Sequence, residues 1–310
     1  MAARKMWIAG FALALAACGE TDPLAQARID CASAESEAEL QITACTSLLD
    51  SGQLEDAERS AALANRGSAL GDGGDVTAAL RDFEAALAAD GENMRATMGR
   101  ASVLIDSGQI DAAEPLVQRL LASGEFADNA HFFRGNIAAQ RGDAVAAITA
   151  YDAAIETNSR HSIALSSRAR MKLTQEDYAG ALADYDAALG VDAQLAPALA
   201  GRCWTRVLQE DGDIARARVD ADAAAASDPR NTYGQLCRGL LQLRAREWAG
   251  ARASYEAVLE VEPGNPTALF GRGIARRRGG DGAGREDMNR ARDFDRHIAQ
   301  TFDRLGVRSY

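Results

Sequence analysis

The chain has 310 residues, close to half of them apolar, and a formal charge of −11; nearly all its cations are arginine, with Lys5 and Lys172 the only lysines. An acidic balance excludes nucleic acid as the main partner, because neutralising phosphates requires a positive surface. Aromatic residues are only 5% of the chain and alanine is abundant, so the core has to come from close helix-to-helix approach rather than from large rings.

Residues 1–17 read as an export signal. Arg4 and Lys5 precede an apolar run from Met6 to Ala17, too short to cross a hydrocarbon layer of about 30 Å as a helix. The run closes on Leu15-Ala16-Ala17-Cys18, which resembles the lipobox of bacterial lipoproteins. That resemblance implies cleavage before Cys18, lipid on its thiol and new amino group, and a body held at the periplasmic face of a membrane. Several acyl chains anchor stably where one is marginal. Gly19 in place of an aspartate after the cysteine favours the outer membrane on the same resemblance. The alternative is an ordinary signal peptide cut near Ala16 or Ala17, which releases a soluble periplasmic protein.

Residues 18–30, polar and containing Pro23, read as a tether reaching at most about 40 Å. Residues 31–59 read as an N-terminal cap. Within it a helix is predicted over about 35–50, from Leu40, Ile42, Ala44, Leu48 and Leu49 at partly helical spacing, with Ser51 and Gly52 as its stop. An exported chain folds under oxidising conditions, and the cysteines after Cys18 are Cys31, Cys45, Cys203 and Cys237, an even set that favours disulfides. Of the three possible pairings, Cys31 with Cys45 needs only a fold-back within one turn of chain and helix. No CxxC is present, so redox catalysis and a paired zinc knuckle have no support.

From residue 60 onward a period dominates. Arg66, Arg100, Arg134, Arg168 and Arg202 are each 34 residues apart, and Arg238 and Arg272 follow after steps of 36 and 34. Thirteen residues beyond each arginine lie Ala79, Ala113, Ala147, Ala181, Ala217 and Ala251, once an insertion in 209–212 is allowed for. Seventeen beyond lie Phe83, Val117, Tyr151, Tyr185, Ala221 and Tyr255. Between the two halves sits a turn signal: Gly74-Asp75, Gly108-Gln109, Gly142-Asp143, Gly212-Asp213 and Gly280-Asp281, with Glu176-Asp177 and Arg246-Glu247 as variants. Helical periodicity on both sides of a turn makes each unit a helix hairpin.

These slots resemble the tetratricopeptide repeat: 34 residues, two antiparallel helices, small residues where helices touch, and an aromatic plug. The resemblance implies an all-α fold, a right-handed α-solenoid of about seven hairpins over residues 60–295, with N- and C-terminal capping helices. The seventh repeat fits only with one residue missing after Gly280, putting Gly284, Met288 and Ala291 in the small and apolar slots of a degenerate second helix. Residues 296–310 then read as a short amphipathic cap with Ile298, Phe302 and Leu305 on one side. Pro115 falls in the opening turns of a second helix, where a missing N–H costs least. Elimination leaves Cys203 with Cys237, which would join first helices of adjacent repeats if local geometry allows.

The arginines admit two readings. Sixteen residues after Arg66 and Arg168 stand Asp82 and Asp184; with the insertion and deletion allowed for, Asp220 follows Arg202 and Asp287 follows Arg272. Four acids in one slot suit a bridge between the helices of one hairpin, more a register device than a source of net stability. Arg100, Arg134 and Arg238 have no acid there and require other partners. The competing reading is a track of guanidinium groups for an anionic ligand.

No reaction is legible. His131, His161 and His297 are isolated, with no HExxH, no Cys-His cluster and no acidic metal loop; the glycines of 279–284 lack the strand and spacing of a phosphate loop. Neither a cofactor nor a metal is implied. In the family, partners lie in a concave groove lined by first-helix positions. Carried onto this chain, these include Asn129, Phe132, Asn136, Arg170, Trp204, Tyr233 and Phe270, of the types that anchor protein partners. The resemblance therefore implies a non-catalytic adaptor for a peptide or protein partner in the bacterial envelope, touching the membrane only through lipid on Cys18. A carbohydrate- or peptidoglycan-binding protein and an enzyme with an unrecognised site are the alternatives.

Overall fold

A computed structural model describes residues 23–33, 37–209 and 212–308, all in helices or their connections, with seventeen helices and no strand among them. The lipobox and Cys18 lie outside the described residues. The chain divides into two compact units, Met1–Phe126 and Ala127–Tyr310, each an α-solenoid of antiparallel hairpins.

The N-terminal unit contains α1 (Pro23–Ala32), α2 (Ala38–Asp50), α3 (Asp56–Asp72), α4 (Val76–Ala89), α5 (Met94–Asp106) and α6 (Ile110–Ser123). The C-terminal unit contains α7 (Ala127–Gln140), α8 (Ala144–Thr157), α9 (Ser162–Thr174), α10 (Tyr178–Val191), α11 (Ala196–Leu208), α12 (Ile214–Ser227), α13 (Thr232–Arg244), α14 (Trp248–Val261), α15 (Pro266–Arg278), α16 (Gly284–Phe294) and α17 (Ile298–Arg304). Within each unit, helices pack mainly on those one or two places away, the nearest-neighbour arrangement of a repeat stack.

Two boundaries differ from expectation. Residues 23–30, taken as tether, belong to α1, which packs Ala27 and Cys31 against α2 and is joined to it by the Cys31–Cys45 disulfide, Cα–Cα 4.8 Å. The N-terminal cap is thus a hairpin, and the first repeat starts at Asp56 rather than residue 60. Pro115 is the sixth residue of α6, beyond the four N–H groups that need no intrahelical partner.

The small slots do what close packing requires. Phe83, Tyr151, Tyr185 and Tyr255 are at most 1% exposed, and the alanines thirteen past each arginine are fully buried. In the last repeat a Cβ on Gly273 would meet the Gly284 carbonyl oxygen at 2.7 Å, so these two backbones touch. The shortened second helix is α16, with Gly284, Met288 and Ala291 buried, and α17 closes the stack with Ile298 and Phe302.

Local sequence sets the turns. Gly74, Gly108, Gly142 and Gly280 take positive φ, and Glu176 and Arg246 occupy the same slot at φ 61° and 62°. The following Asp75, Asp143, Asp177 and Asp213 each accept a hydrogen bond from a first-turn N–H of the second helix. First helices are capped in the same way by Asn93, Asn231 and Asn265, and by the His161 ring in α9. Such caps contribute about 1 kcal/mol each.

Candidate interaction surface

The arginine ladder is structural. Arg66 grips Asp82 with Nε and Nη2 at 2.7 and 2.8 Å. Arg168 holds Asp184 at 2.8 and 2.7 Å, Arg202 holds Asp220 at 3.1 and 2.6 Å, and Arg272 holds Asp287 at 2.8 and 2.6 Å. All four aspartates are buried, and three meet a second cation: Lys172 at Asp184, Arg206 at Asp220, Arg276 at Asp287. The fork geometry fits a carboxylate, and the bond from Asp82 or Asp184 pushes its arginine further up.

A second layer follows from the opposite offset, sixteen residues before four of the arginines. Arg100 reaches Glu84 at 2.8 Å, Arg168 reaches Asp152 at 2.6 Å, Arg202 reaches Asp186 at 2.6 Å and Arg238 reaches Asp222 at 2.9 Å. Arg66 donates to Thr46 of α2 at 3.1 Å. Each such guanidinium clamps its hairpin to the preceding one. Arg100 and Arg238 thereby find the partners that the first offset left open, and the same offset test run backwards finds them in the sequence.

Between α11 and α13 a Cys203–Cys237 disulfide joins neighbouring first helices, Cα–Cα 6.6 Å, with both cysteines fully buried.

What is left for recognition is the first-helix face of the C-terminal unit, formed by the second, fifth and ninth positions of repeats three to six. Ile163 is 50% exposed and Tyr233 40% exposed, with Pro197 and Arg170 also exposed. Asn129 is half-buried and tied to Asp128. Phe132 is half-buried against Phe133, Tyr151 and His161, the last at 5.1 Å between ring centres. Asn136 accepts the Tyr151 hydroxyl proton at 2.8 Å. Trp204 is only 8% exposed; its ring stacks on Tyr233 at 5.6 Å and its Nε1 donates to the Tyr233 carbonyl at 2.9 Å.

Phe270 leaves the set of contact candidates. It is fully buried because α17 covers this face of the last repeat, with Phe302 at 5.1 Å and the Arg292 guanidinium at 5.4 Å from its ring. Ile163 and Pro197 enter it, standing five residues before Arg168 and Arg202 as Tyr233 stands before Arg238.

Arg170 is the electrostatic centre of the face. The Arg170 charge acts on the phenols of Tyr151, Tyr185 and Tyr233. Burial pushes all three phenols up, Tyr233 to about 12, with Arg170 pulling the other way. At neutral pH they remain hydroxyl donors beside an exposed cation.

His131 and His161 are both held below the ordinary histidine value by burial, reinforced at His131 by Arg134 and opposed at His161 by Asp128. Among the described residues no group of histidine, cysteine and carboxylate side chains is arranged to hold a metal, and no helix is long and apolar enough to cross a membrane. In the N-terminal unit an open cleft of about 490 Å³ lies between α2, α3 and α4, with Ile42, Leu63 and Leu70 as apolar walls and Arg66 already paired to Asp82.

A tetratricopeptide repeat model matches residues 64–108, 98–162, 146–200 and 236–284, together more than half the chain. A tetratricopeptide repeat protein from Parabacteroides merdae ATCC 43184 superposes with a TM-score of 0.52 at 17% identity, over 80% of this chain and 99% of that one. PilF of Pseudomonas aeruginosa gives 0.55 at 16% identity over 69% and 96% of the two chains. A chain of the APC/C hetero-tetramer Cut9–Hcn1 gives 0.67 at 13% identity, over 93% of this chain and 57% of that one. At these identities the likeness is one of fold. No curated protein sequence matches the chain. With matched segments across both compact units and the repeat's small, aromatic and turn slots filled as described, this chain belongs to the tetratricopeptide repeat family, whose members generally mediate protein–protein interactions.

Proposed function

We propose that the protein is a non-catalytic adaptor of the bacterial cell envelope that holds an extended peptide or protein segment on the first-helix face of its C-terminal unit. The observation that carries this reading is the exposure of Ile163, Pro197, Tyr233 and Arg170 on one face. Apolar and aromatic side chains of this kind anchor partners, and an uncovered row of them calls for an occupant.

Photo-crosslinkable residues at 163 and 233, in cells, test the reading directly. Discrete protein adducts at both, absent from a probe at the exposed second-helix residue Val145, support the adaptor; smears equal to the Val145 control refute it. Asn136 beside Tyr151 and Phe132 favours the second reading, a glycan ligand, and co-sedimentation with peptidoglycan in the absence of protein adducts would establish it. Attachment to a membrane rests on the lipobox resemblance of Leu15 to Cys18, and the choice of the outer membrane on Gly19 after it. Cys18→Ala is expected to move the protein from the membrane to the soluble periplasmic fraction, and an unchanged distribution counts against lipidation.

A further inference from the structure

We propose that the segment held on this face carries an internal acidic side chain, flanked on both sides by apolar residues, and that Arg170 receives it; the inference rests on the adaptor reading above. At the second, fifth and ninth positions of repeats three to six, Arg170 is the single charged side chain. Two residues earlier, Arg168 commits its guanidinium to Asp184 and Asp152. Arg170 is exposed and forms no ion pair among the described residues. An arginine that the chain leaves unneutralised, in a protein of net charge −11, sets the sign of what it meets.

The surroundings add donors. The Tyr151 hydroxyl gives its proton to Asn136, and the Arg170 charge acts on it. The guanidinium has five N–H donors in a planar fork, whose edge matches a carboxylate bidentately. The hydroxyls of Tyr185 and Tyr233 remain protonated nearby.

Position along the stack separates a side chain from a chain end. Along the stack, Phe132 of α7 comes before Arg170 of α9, and Pro197 of α11 and Tyr233 of α13 come after it, so the bound segment continues in both directions. Neighbouring helices stand about 8–10 Å apart and an extended chain advances about 3.3 Å per residue, so one repeat is crossed every three residues or so. The expected occupant has an aspartate or glutamate with apolar residues about three positions before and after it.

The probe is a fluorescent eleven-residue peptide, blocked at both ends, with one central glutamate and leucine or phenylalanine three positions to either side. It is compared with the glutamine version, and with a glutamine version bearing a free C-terminal carboxylate. Anisotropy titrations use the full chain and its Arg170→Gln and Arg170→Lys variants, with folding checked by circular dichroism. On the unaltered protein the glutamate peptide is expected to bind about tenfold tighter than the glutamine peptide, a difference that shrinks with salt. Arg170→Gln abolishes the difference and Arg170→Lys restores part of it. Equal binding of the two blocked peptides overturns the inference and leaves the adaptor standing. A free carboxylate that replaces the glutamate overturns it in favour of chain-end recognition. Failure of every peptide overturns it too, whereas the adaptor itself falls only if the crosslinks at 163 and 233 are also absent.

Discussion

Replacing Glu176 and Arg246 with glycine should stabilise the C-terminal unit. Both residues sit at the hairpin turn with φ near +61°, where Gly142 and Gly280 stand in other repeats of the same unit, and both side chains are exposed. A side chain in the left-handed region crowds its own carbonyl and costs about 1–2 kcal/mol. Glycine removes that cost but widens the unfolded ensemble, which returns about 0.4–1 kcal/mol. The net expectation is a gain of about 0.5–1 kcal/mol for each change. The two turns belong to repeats four and six and share no partner, so the gains add, giving roughly 1–2 kcal/mol for the pair. In a unit of this size that is a rise of about 2–8 °C in Tm. Urea titrations followed by circular dichroism measure it, with Glu176→Ala separating loss of the side chain from relief of the backbone, and Gly142→Ala as the reverse change. If both glycine variants lower the midpoint while Gly142→Ala leaves it unchanged, turn strain is not what distinguishes these slots.

Other expectations follow from single contacts. The His161 ring accepts from the Ala164 N–H at 3.2 Å and burial holds its pKa below 6.5. The unfolded chain therefore takes up the proton first, and the cap's stabilisation, full above about pH 6.5, is lost as pH falls toward the folded value. His161→Asn, matching Asn93, Asn231 and Asn265, should remove this loss, seen as a shallower fall in urea midpoint between pH 8 and 5; parallel curves would refute it. Arg168→Ala and Asp184→Ala, alone and together, should show a coupling of about 1–3 kcal/mol. Unchanged stability with lost partner binding would return the arginines to a ligand track. The Tyr255 hydroxyl is buried with no hydrogen-bond partner among the described residues, because Leu240 stands where Asn136 accepts from Tyr151. Tyr255→Phe should leave thermal stability unchanged or raise it, while Tyr151→Phe, which breaks the bond to Asn136, should lower it by about 1 kcal/mol; equal losses would contradict this.

The hairpin stack was legible because packing in a repeat array is periodic, so constant offsets from one arginine located the alanines, the tyrosine plugs and the four buried aspartates. Even the shortened last repeat appeared as a shift in register at Gly284, Met288 and Ala291. Helix α1 was not legible, since PLAQARIDCA carries no apolar stripe and its order comes from α2 and the disulfide rather than from its own pattern. The acids sixteen residues upstream were available to the same arithmetic, and only the direction of counting hid Glu84 and Asp222. Exposure was the least readable property. Phe270 and Tyr233 are both aromatic residues on first helices, but one lies beneath α17 and the other beside no such cover. Residue type states what a side chain is able to contact; whether a neighbour already occupies it is a tertiary fact.

The backward reach of the clamp also bears on how the molecule comes apart. Repeats one and two are tied through Arg100 and Glu84; repeats three to six through Arg168, Arg202 and Arg238. A linear array with even couplings melts as one body. Within each compact unit the clamped repeats are therefore expected to unfold together, with Cys31–Cys45 as the internal crosslink of the first unit and Cys203–Cys237 as that of the second.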